Sequence, residues 1–221
     1  MALGREQAER LLCLLELVRG APFNLTAIRD PAEMRRKHLL DSLTVMPVAR
    51  PAVGERLFDV GSGAGFPGLV LAVVCPEVRV ELIEANARKG AFLQSAADAL
   101  HLTNVGVRIA RAEELGREAG WRERADCVVA RAVAPLPVLL EYVLPLCRVG
   151  GRCVALKGPR APEEMAAAAA ALKVLGGVPA APVLLRLPGG AEQRVLVRVD
   201  KVRPTPARYP RAAGQPARRP L

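Results

Sequence analysis

Hydrophobic positions follow two rhythms along this chain. Up to about residue 45 they recur every three or four residues, and from residue 56 onward short apolar runs alternate with helical stretches. In the first region Leu11, Leu14, Leu15 and Val18 fall on one stripe, which predicts a helix over residues 4–18. Gly20 and Pro22 end it, and residues 23–28 form a connector in which Asn24 and Thr26 alternate with apolar neighbours. A second helix starts at Asp30-Pro31-Ala32-Glu33. Asp30 caps it, Pro31 suits the first helical position, and Glu33 reaches back as in a capping box. This helix is predicted to run to about Val45, before Pro47. Arg35, Arg36 and Lys37 give it a basic patch, and His38, Asp41 and Ser42, three and four apart, share one face.

The second rhythm predicts strands over residues 56–60, 79–83, 105–109, 126–130 and 151–156, with helices over 67–74, 86–100, 136–146 and 163–175 between and after them. Such alternation implies βαβ units and a parallel sheet. Residues 111–114 are read as a polar loop. Residues 183–187 and 194–199 form a final antiparallel pair joined at Pro188-Gly189-Gly190. Residues 201–221 carry Lys201, Arg203, Arg208, Arg211, Arg218 and Arg219, five prolines and no acid, so they should lack regular structure in isolation. The expected plan is a helical extension over 1–50, an α/β domain over 51–200 and a basic tail over 201–221.

The chain is organised around residues 57–68, where the first strand runs into Gly61, Gly63 and Gly65. A glycine loop lets the backbone approach a ligand closely, and Pro67 is expected to open the next helix, whose free N–H groups favour an electron-rich group. Two ligands fit. Gly63-x-Gly65-x-x-Gly68 matches the dinucleotide pattern, and Gly61-x-Gly63-x-Gly65 matches that of S-adenosylmethionine (AdoMet) methyltransferases. Glu84 ends the second strand about 20 residues after Gly63, where a carboxylate accepts both ribose hydroxyls of either ligand. Ala112 and Glu113 follow the third strand and border the adenine in this reading. Arg131 follows the fourth strand, where it binds a cofactor carboxylate or an RNA phosphate. Five parallel strands and a hairpin suit a methyltransferase sheet better than a dinucleotide domain, since no second mononucleotide half follows residue 156.

Composition narrows the class. The chain is 51% hydrophobic but only 3% aromatic, so its core is built from Leu, Val and Ala. A net charge of +10 favours a polyanionic partner, nucleic acid above all. The five cysteines are odd in number and lack metal-type spacing, so neither a disulfide framework nor a metal site is indicated. No signal-peptide layout and no apolar run long enough for a membrane span is present, so a cytoplasmic protein without membrane contact is expected. A hydrolase reading of Ser42, His38 and Asp41 fails, because a nucleophilic Ser needs a strained elbow and an oxyanion hole.

The residues resemble a specific family, the bacterial methyltransferases that modify N7 of one guanine in 16S ribosomal RNA, also known as glucose-inhibited division protein B. The resemblance runs through Asn24-Leu-Thr-Ala-Ile28, His38-Leu-Leu-Asp-Ser42, Phe58-Asp-Val-Gly-Ser-Gly-Ala-Gly-Phe-Pro-Gly68, Arg111-Ala-Glu-Glu114, Ala130-Arg-Ala-Val-Ala-Pro135 and Ala155-Leu-Lys-Gly158. It implies a Rossmann-like class I AdoMet-dependent methyltransferase fold with a helical, RNA-facing N-terminal extension. It implies cofactor contacts at Gly61, Phe66, Glu84, Ala85, Asn86, Ala112, Glu113 and Arg131, which Gly63 and Gly65 join from the loop pattern. It places His38, Asp41 and Ser42 near the RNA-facing cleft, with Arg131 and Lys157 as further substrate-positioning candidates. The RNA-binding candidates are Arg35, Arg36 and Lys37 on the second helix, and Arg208, Arg211, Arg218 and Arg219 in the tail. The partner is 16S ribosomal RNA or the small subunit, with no obligate protein partner. Arg19-Gly20 and residues 210–216 depart from the family pattern at the two ends.

The chemistry agrees with this resemblance. Guanine N7 has an in-plane lone pair and needs no deprotonation, so a chain with no evident general base suits it. Methylation at carbon 5 of a pyrimidine needs a nucleophilic Cys, absent from residues 131–135. The Asp/Asn-Pro-Pro-Tyr/Phe turn of amine methylation is absent there too. Two other readings stay open at this level: an NAD-dependent oxidoreductase, and a non-catalytic RNA-binding protein on a methyltransferase scaffold.

Overall fold

A computed structural model describes residues 3–190 and 192–221. The elements follow in order: α1 (Arg5–Arg19), α2 (Pro31–Met34), a π-helical turn (Arg35–Leu40), α3 (Asp41–Leu43), α4 (Met46–Ala49), β1 (Arg56–Val60), α5 (Gly68–Val74), β2 (Arg79–Glu84), α6 (Ala87–Ala99) and β3 (Val105–Ile109). Then come α7 (Ala112–Leu115), β4 (Ala125–Arg131), α8 (Leu136–Val143), β5 (Cys147–Lys157), α9 (Ala161–Ala167), α10 (Ala169–Leu175), β6 (Gly177–Pro179), β7 (Val183–Arg186), β8 (Gln193–Lys201) and α11 (Gln215–Arg218).

The strands form one sheet in the order β3-β2-β1-β4-β5-β8-β6, with β7 paired to β8. The five strands β3, β2, β1, β4 and β5 are parallel, and β8 runs antiparallel to β5, β6 and β7. Central strands buried on both faces must be apolar throughout, and Leu57, Phe58, Cys127, Val128 and Val129 are each fully buried. Alternate side chains feed two cores. Leu57, Cys127 and Val129 pack with Leu14, Leu69 and Leu93 on one face, and Phe58, Val60 and Val128 with Leu139, Leu140 and Leu172 on the other. The N-terminal extension therefore shares the domain's core, because the predicted stripe of α1 is buried against α5.

Several boundaries differ from the sequence expectation. The second helix widens into a π turn at Arg35–Leu40 and breaks at Thr44 before α4. The Phe66–Pro67 peptide is cis, and Pro67 stands ahead of α5, which starts at Gly68. The expected polar loop at 111–114 holds the short α7, where Glu114 Oε2 accepts the Arg111 N–H at 3.2 Å. The alanine-rich helix divides at Ala168, and β6 is an additional edge strand.

The largest difference is the tail, which packs on the domain. Its composition lacks apolar runs, but polar anchors replace them. The buried Lys201 ammonium donates to Leu144 O at 2.7 Å and pairs with Glu123 at 3.3 Å. Arg122 donates to the Thr205 and Tyr209 carbonyls at 2.6 and 2.7 Å. Glu141, fully buried on α8, takes the Arg211 guanidinium at 2.5 Å and the Arg211 N–H at 2.7 Å. Arg211 is thus turned inward, away from a role on the RNA surface. Removing one member of a buried ion pair strands the other's charge. Arg211→Ala is expected to lower stability by about 3 kcal/mol, read as a lower urea midpoint at constant slope. An unchanged midpoint would mean that Arg211 does not fasten the tail.

Candidate active site

The carboxyl ends of β1, β2 and β4 meet at the glycine loop, and the turns that follow them build the site. Gly61 takes φ +72°, and a Cβ there would meet Val133 Cγ2 at 2.6 Å, so only glycine lets the loop pass the turn after β4. Beneath the loop lies Asp59, fully buried, whose Oδ2 accepts the Gly68 N–H at 2.9 Å. That bond seats the first turn of α5, and a side chain at Gly68 would run into both Asp59 and Leu82. Burial pushes the Asp59 carboxyl up to about 7. Above the loop, Glu84 spends one oxygen on each neighbour. Oε2 accepts the Gly63 N–H at 2.9 Å and Oε1 the Asn86 N–H at 2.9 Å. Asn86 itself caps α6 through Oδ1, and its side chain points along the helix end.

Three cavities open around this loop. One of about 270 Å³ is lined by Gly61, Glu84, Ala85, Ala112, Glu113 and Tyr142 among others. Glu113, buried at its rim, accepts the Gly214 N–H of the tail at 3.0 Å. A second, of about 260 Å³, shares Gly61 and Glu84 with the first and adds Gly63, Phe66, His38 and Arg131. The third, of about 550 Å³, shares His38 and Arg131 with the second and extends past Asp41 and Arg194 to Lys157, Arg160 and Glu164. Neighbouring cavities share walls: Gly61 and Glu84 lie between the first and second, and His38 and Arg131 between the second and third.

The junction is a network of buried polar groups. Arg131 donates to Lys37 O at 2.8 Å and to Asp41 Oδ2 at 3.1 Å. Arg194 holds the other Asp41 oxygen at 3.0 Å. Arg131 also lies 5.4 Å above the Phe66 ring, whose centroid is 4.6 Å from the His38 ring at 9° between planes. A guanidinium only donates, so His38 Nδ1, 3.4 Å from Arg131, faces it as the acceptor. The ring proton then sits on Nε2 and is donated to Thr26 Oγ1 at 2.9 Å. Burial first, and the Arg131 charge second, lower His38 to about 4. His38 is therefore neutral and spends its one proton on Thr26.

The predicted site residues separate on these grounds. Gly61, Gly63, Phe66, Glu84, Ala85, Ala112, Glu113, Arg131, His38, Asp41 and Lys157 line these cavities. Gly65 and Asn86 lie outside their walls as loop and cap. Ser42 is buried and donates to His38 O at 2.6 Å, a bond within the helix that turns it from the cleft. Lys157, a substrate-positioning candidate, donates to Ala134 O at 2.6 Å and pairs with Glu164 at 2.8 Å. In the basic patch, Arg36 and Lys37 are held by Glu33 and by Glu192 of the loop before β8, whereas Arg35 is exposed. Arg208, Arg218 and Arg219 are exposed on the tail. Arg194, Glu164 and Asp59 were missed. Arg194 and Glu164 join the site through strand register and helix packing, which leave no local motif. Asp59 had a signal, an acid set inside an otherwise apolar strand.

The chain is similar to known proteins. The family profile described as rRNA small subunit methyltransferase G matches residues 5–188. The chain is 50% identical over 199 residues to the ribosomal RNA small subunit methyltransferase G of Chloroflexus aggregans, covering 90% of this chain and 83% of that protein. It is 45% identical over 207 residues to the protein of the same name from Pelotomaculum thermopropionicum, covering 94% and 87%. Among solved structures, a SAM dependent methyltransferase from Aquifex aeolicus superposes with a TM-score of 0.58 at 18% identity, covering 77% of this chain and 93% of that one, a likeness of fold.

His38 and Asp59 make opposite contributions to stability across mildly acid pH. Between about pH 4 and 6.5 the unfolded chain protonates its histidine while folded His38 stays neutral, so this group makes stability rise with pH. Folded Asp59 keeps a proton up to about pH 7 that the unfolded chain releases near 4, so this group makes stability fall with pH. The two slopes, each up to about 1.4 kcal/mol per pH unit, oppose one another in the native protein. Urea midpoints across this range are expected to rise with pH in Asp59→Asn and to fall with pH in His38→Asn. Parallel profiles for the two variants would contradict both assignments.

Proposed function

The chain belongs to the rRNA small subunit methyltransferase G family, and we propose on that footing that it transfers the methyl group of AdoMet to N7 of one guanine in 16S ribosomal RNA. The observation that carries the reading at the level of residues is that the three cavities adjoin, with Gly61 and Glu84 in the wall between the first two and His38 and Arg131 in the wall between the second and third. The two smaller ones flank the glycine loop and suit AdoMet, and the larger, lined by cations, suits the RNA base. A cytoplasmic site of action follows from the RNA target, and no described helix is long and apolar enough to cross a membrane.

The residues present fit AdoMet. A Cβ added at Gly63 would find only Gly61 O, at 3.8 Å, so the loop backbone is open there. Each Glu84 oxygen carries one backbone hydrogen bond and retains a lone pair for a ribose hydroxyl. Ala112 and Glu113 border the base, and Gly61, Gly63, Phe66 and Arg131 enclose the methionine end. When bound, AdoMet supplies an electrophilic methyl on a sulfonium.

The protein's own task is alignment. Guanine N7 attacks with an in-plane lone pair, so no side chain has to remove a proton. Neutral His38, bonded to Thr26 and stacked on Phe66, acts as a rigid wall. Arg131 is fixed by Lys37 O and Asp41, and so fixes the boundary between the cofactor and base cavities. Holding the reactants in a near-attack geometry is worth up to about 7–11 kcal/mol. Exposed Arg35, Arg160, Arg208, Arg218 and Arg219 supply contacts for RNA phosphates. The nicotinamide reading of the glycine loop has no support in the family.

The test is transfer of labelled methyl from AdoMet to small subunits and to naked 16S ribosomal RNA lacking the modification, with the product mapped to base and atom. Label at N7 of one guanine is expected, and label at any other atom would overturn the assignment. Glu84→Ala is expected to weaken AdoMet binding about 10- to 100-fold in calorimetry, the loss of hydrogen bonds to a charged acceptor. Unchanged affinity would remove Glu84 from the ribose.

A further inference from the structure

We propose that Lys157 and Glu164 read the Watson–Crick edge of the target base as guanine; the inference rests on the methyl-transfer reading above. The two residues form an ion pair at 2.8 Å in the wall of the 550 Å³ cavity. Both charges are pinned to the turn that follows β4. Lys157 Nζ donates to Ala134 O at 2.6 Å, and Glu164 Oε2 accepts the Leu136 N–H at 2.8 Å. That turn continues directly from Arg131, so the ion pair is held in fixed register with the place where N7 must meet the methyl.

What remains unused on the pair defines what it recognises. An ammonium has three protons. One goes to Ala134 O, and the ammonium faces Glu164 Oε2 at 2.8 Å, which leaves at least one N–H. Glu164 uses only Oε2, and Oε1 has no partner among the described residues, on a side chain that is 20% exposed. The cavity wall therefore offers a donor beside an acceptor. Guanine presents the complement on adjacent atoms, O6 as acceptor and N1–H as donor. Adenine presents the reverse, an amino donor beside an acceptor nitrogen, and would leave both protein groups facing like partners. O6 is also the neighbour of N7 on the base edge, so a base held by O6 and N1 carries its N7 toward Arg131. The only other carboxylate lining this cavity among the described residues, Asp41, has its charge paired with Arg131 through one oxygen and Arg194 through the other.

Glu164→Gln separates this role from a structural one. The amide oxygen still accepts from Leu136 N–H and Lys157, while an amino group replaces the free oxygen that would receive N1–H. With small subunits lacking the modification, kcat/KM is expected to fall about 10- to 100-fold, with the AdoMet dissociation constant unchanged. A second measurement uses the unaltered protein on RNA carrying an analogue at the target position. Inosine keeps O6 and N1–H and is expected to be methylated at close to the guanine rate. 2-Aminopurine keeps N7 but lacks both groups and is expected to be methylated at least tenfold more slowly. Glu164→Gln acting on guanine at the native kcat/KM, or equal rates on inosine and 2-aminopurine, would overturn the proposal and leave the methyltransferase assignment standing. Failure of the unaltered protein to methylate guanine in any 16S substrate would overturn both.

Discussion

The site depends on a single carboxylate held between two guanidiniums. Asp41 is 4% exposed and contacts Arg131 of β4 through one oxygen and Arg194 of β8 through the other. Taking three charges out of water costs several kcal/mol per ion, and the mutual attraction only offsets it when the geometry is good. The pairing is therefore a weak source of stability and a strong source of position. It ties the N-terminal extension to a parallel and an antiparallel strand of the sheet at one point. The π turn contributes to the same end, because it sets the Lys37 carbonyl where Arg131 donates to it. Once Arg131 is fixed, His38 is fixed as a neutral ring against Phe66, and the wall between the two cavities that share these residues is set.

The same logic of polar fastening recurs in the tail. A segment with so few apolar residues cannot build its own core, yet Lys201, Arg122, Glu123 and Glu141 strap it to α8 and the sheet edge. One consequence reaches the site, since Gly214 donates to Glu113 in the wall of the 270 Å³ cavity. The placement of the tail and the shape of that cavity are thus mechanically linked. Sites on rigid elements hold geometry better than sites on free loops, and here a loop-like segment is made rigid by buried charges.

Much of this was legible in the sequence, for reasons that can be stated residue by residue. Strands β1, β2 and β3 are local apolar runs ended by turn chemistry, and Glu84 stands out as the acid at a strand's carboxyl end. The glycine loop is readable because its φ values and close approaches exclude other residues. Arg194 was not readable, because its place follows from the register of β8 against β5, thirty and more residues away in the chain. Glu164 was hidden likewise, as one acid in an alanine-rich helix whose partner is a backbone N–H on another element. The tail misled because composition reports apolar content and says nothing of buried carboxylates waiting for arginine. The basic patch was legible as sequence but not as surface, since Glu192 closes on Arg36 and Lys37 from a distant loop.

That closure changes how the +10 charge should be understood. Long-range attraction of RNA depends on net charge, and internal pairing does not alter it. Docking depends on cations free to replace counterions at phosphates, and there the chain is poorer than its arginine count suggests. Arg36, Arg122, Arg131, Arg152, Arg194 and Arg211 hold carbonyls or carboxylates of the protein itself. Arg35, Arg160, Arg208, Arg218 and Arg219 are among the arginines that stay exposed. The salt dependence of binding scales with phosphates neutralised, at about 0.9 per contact for duplexes and 0.7 for single strands. The slope is therefore set by the exposed cations that meet phosphates, and not by the full arginine count.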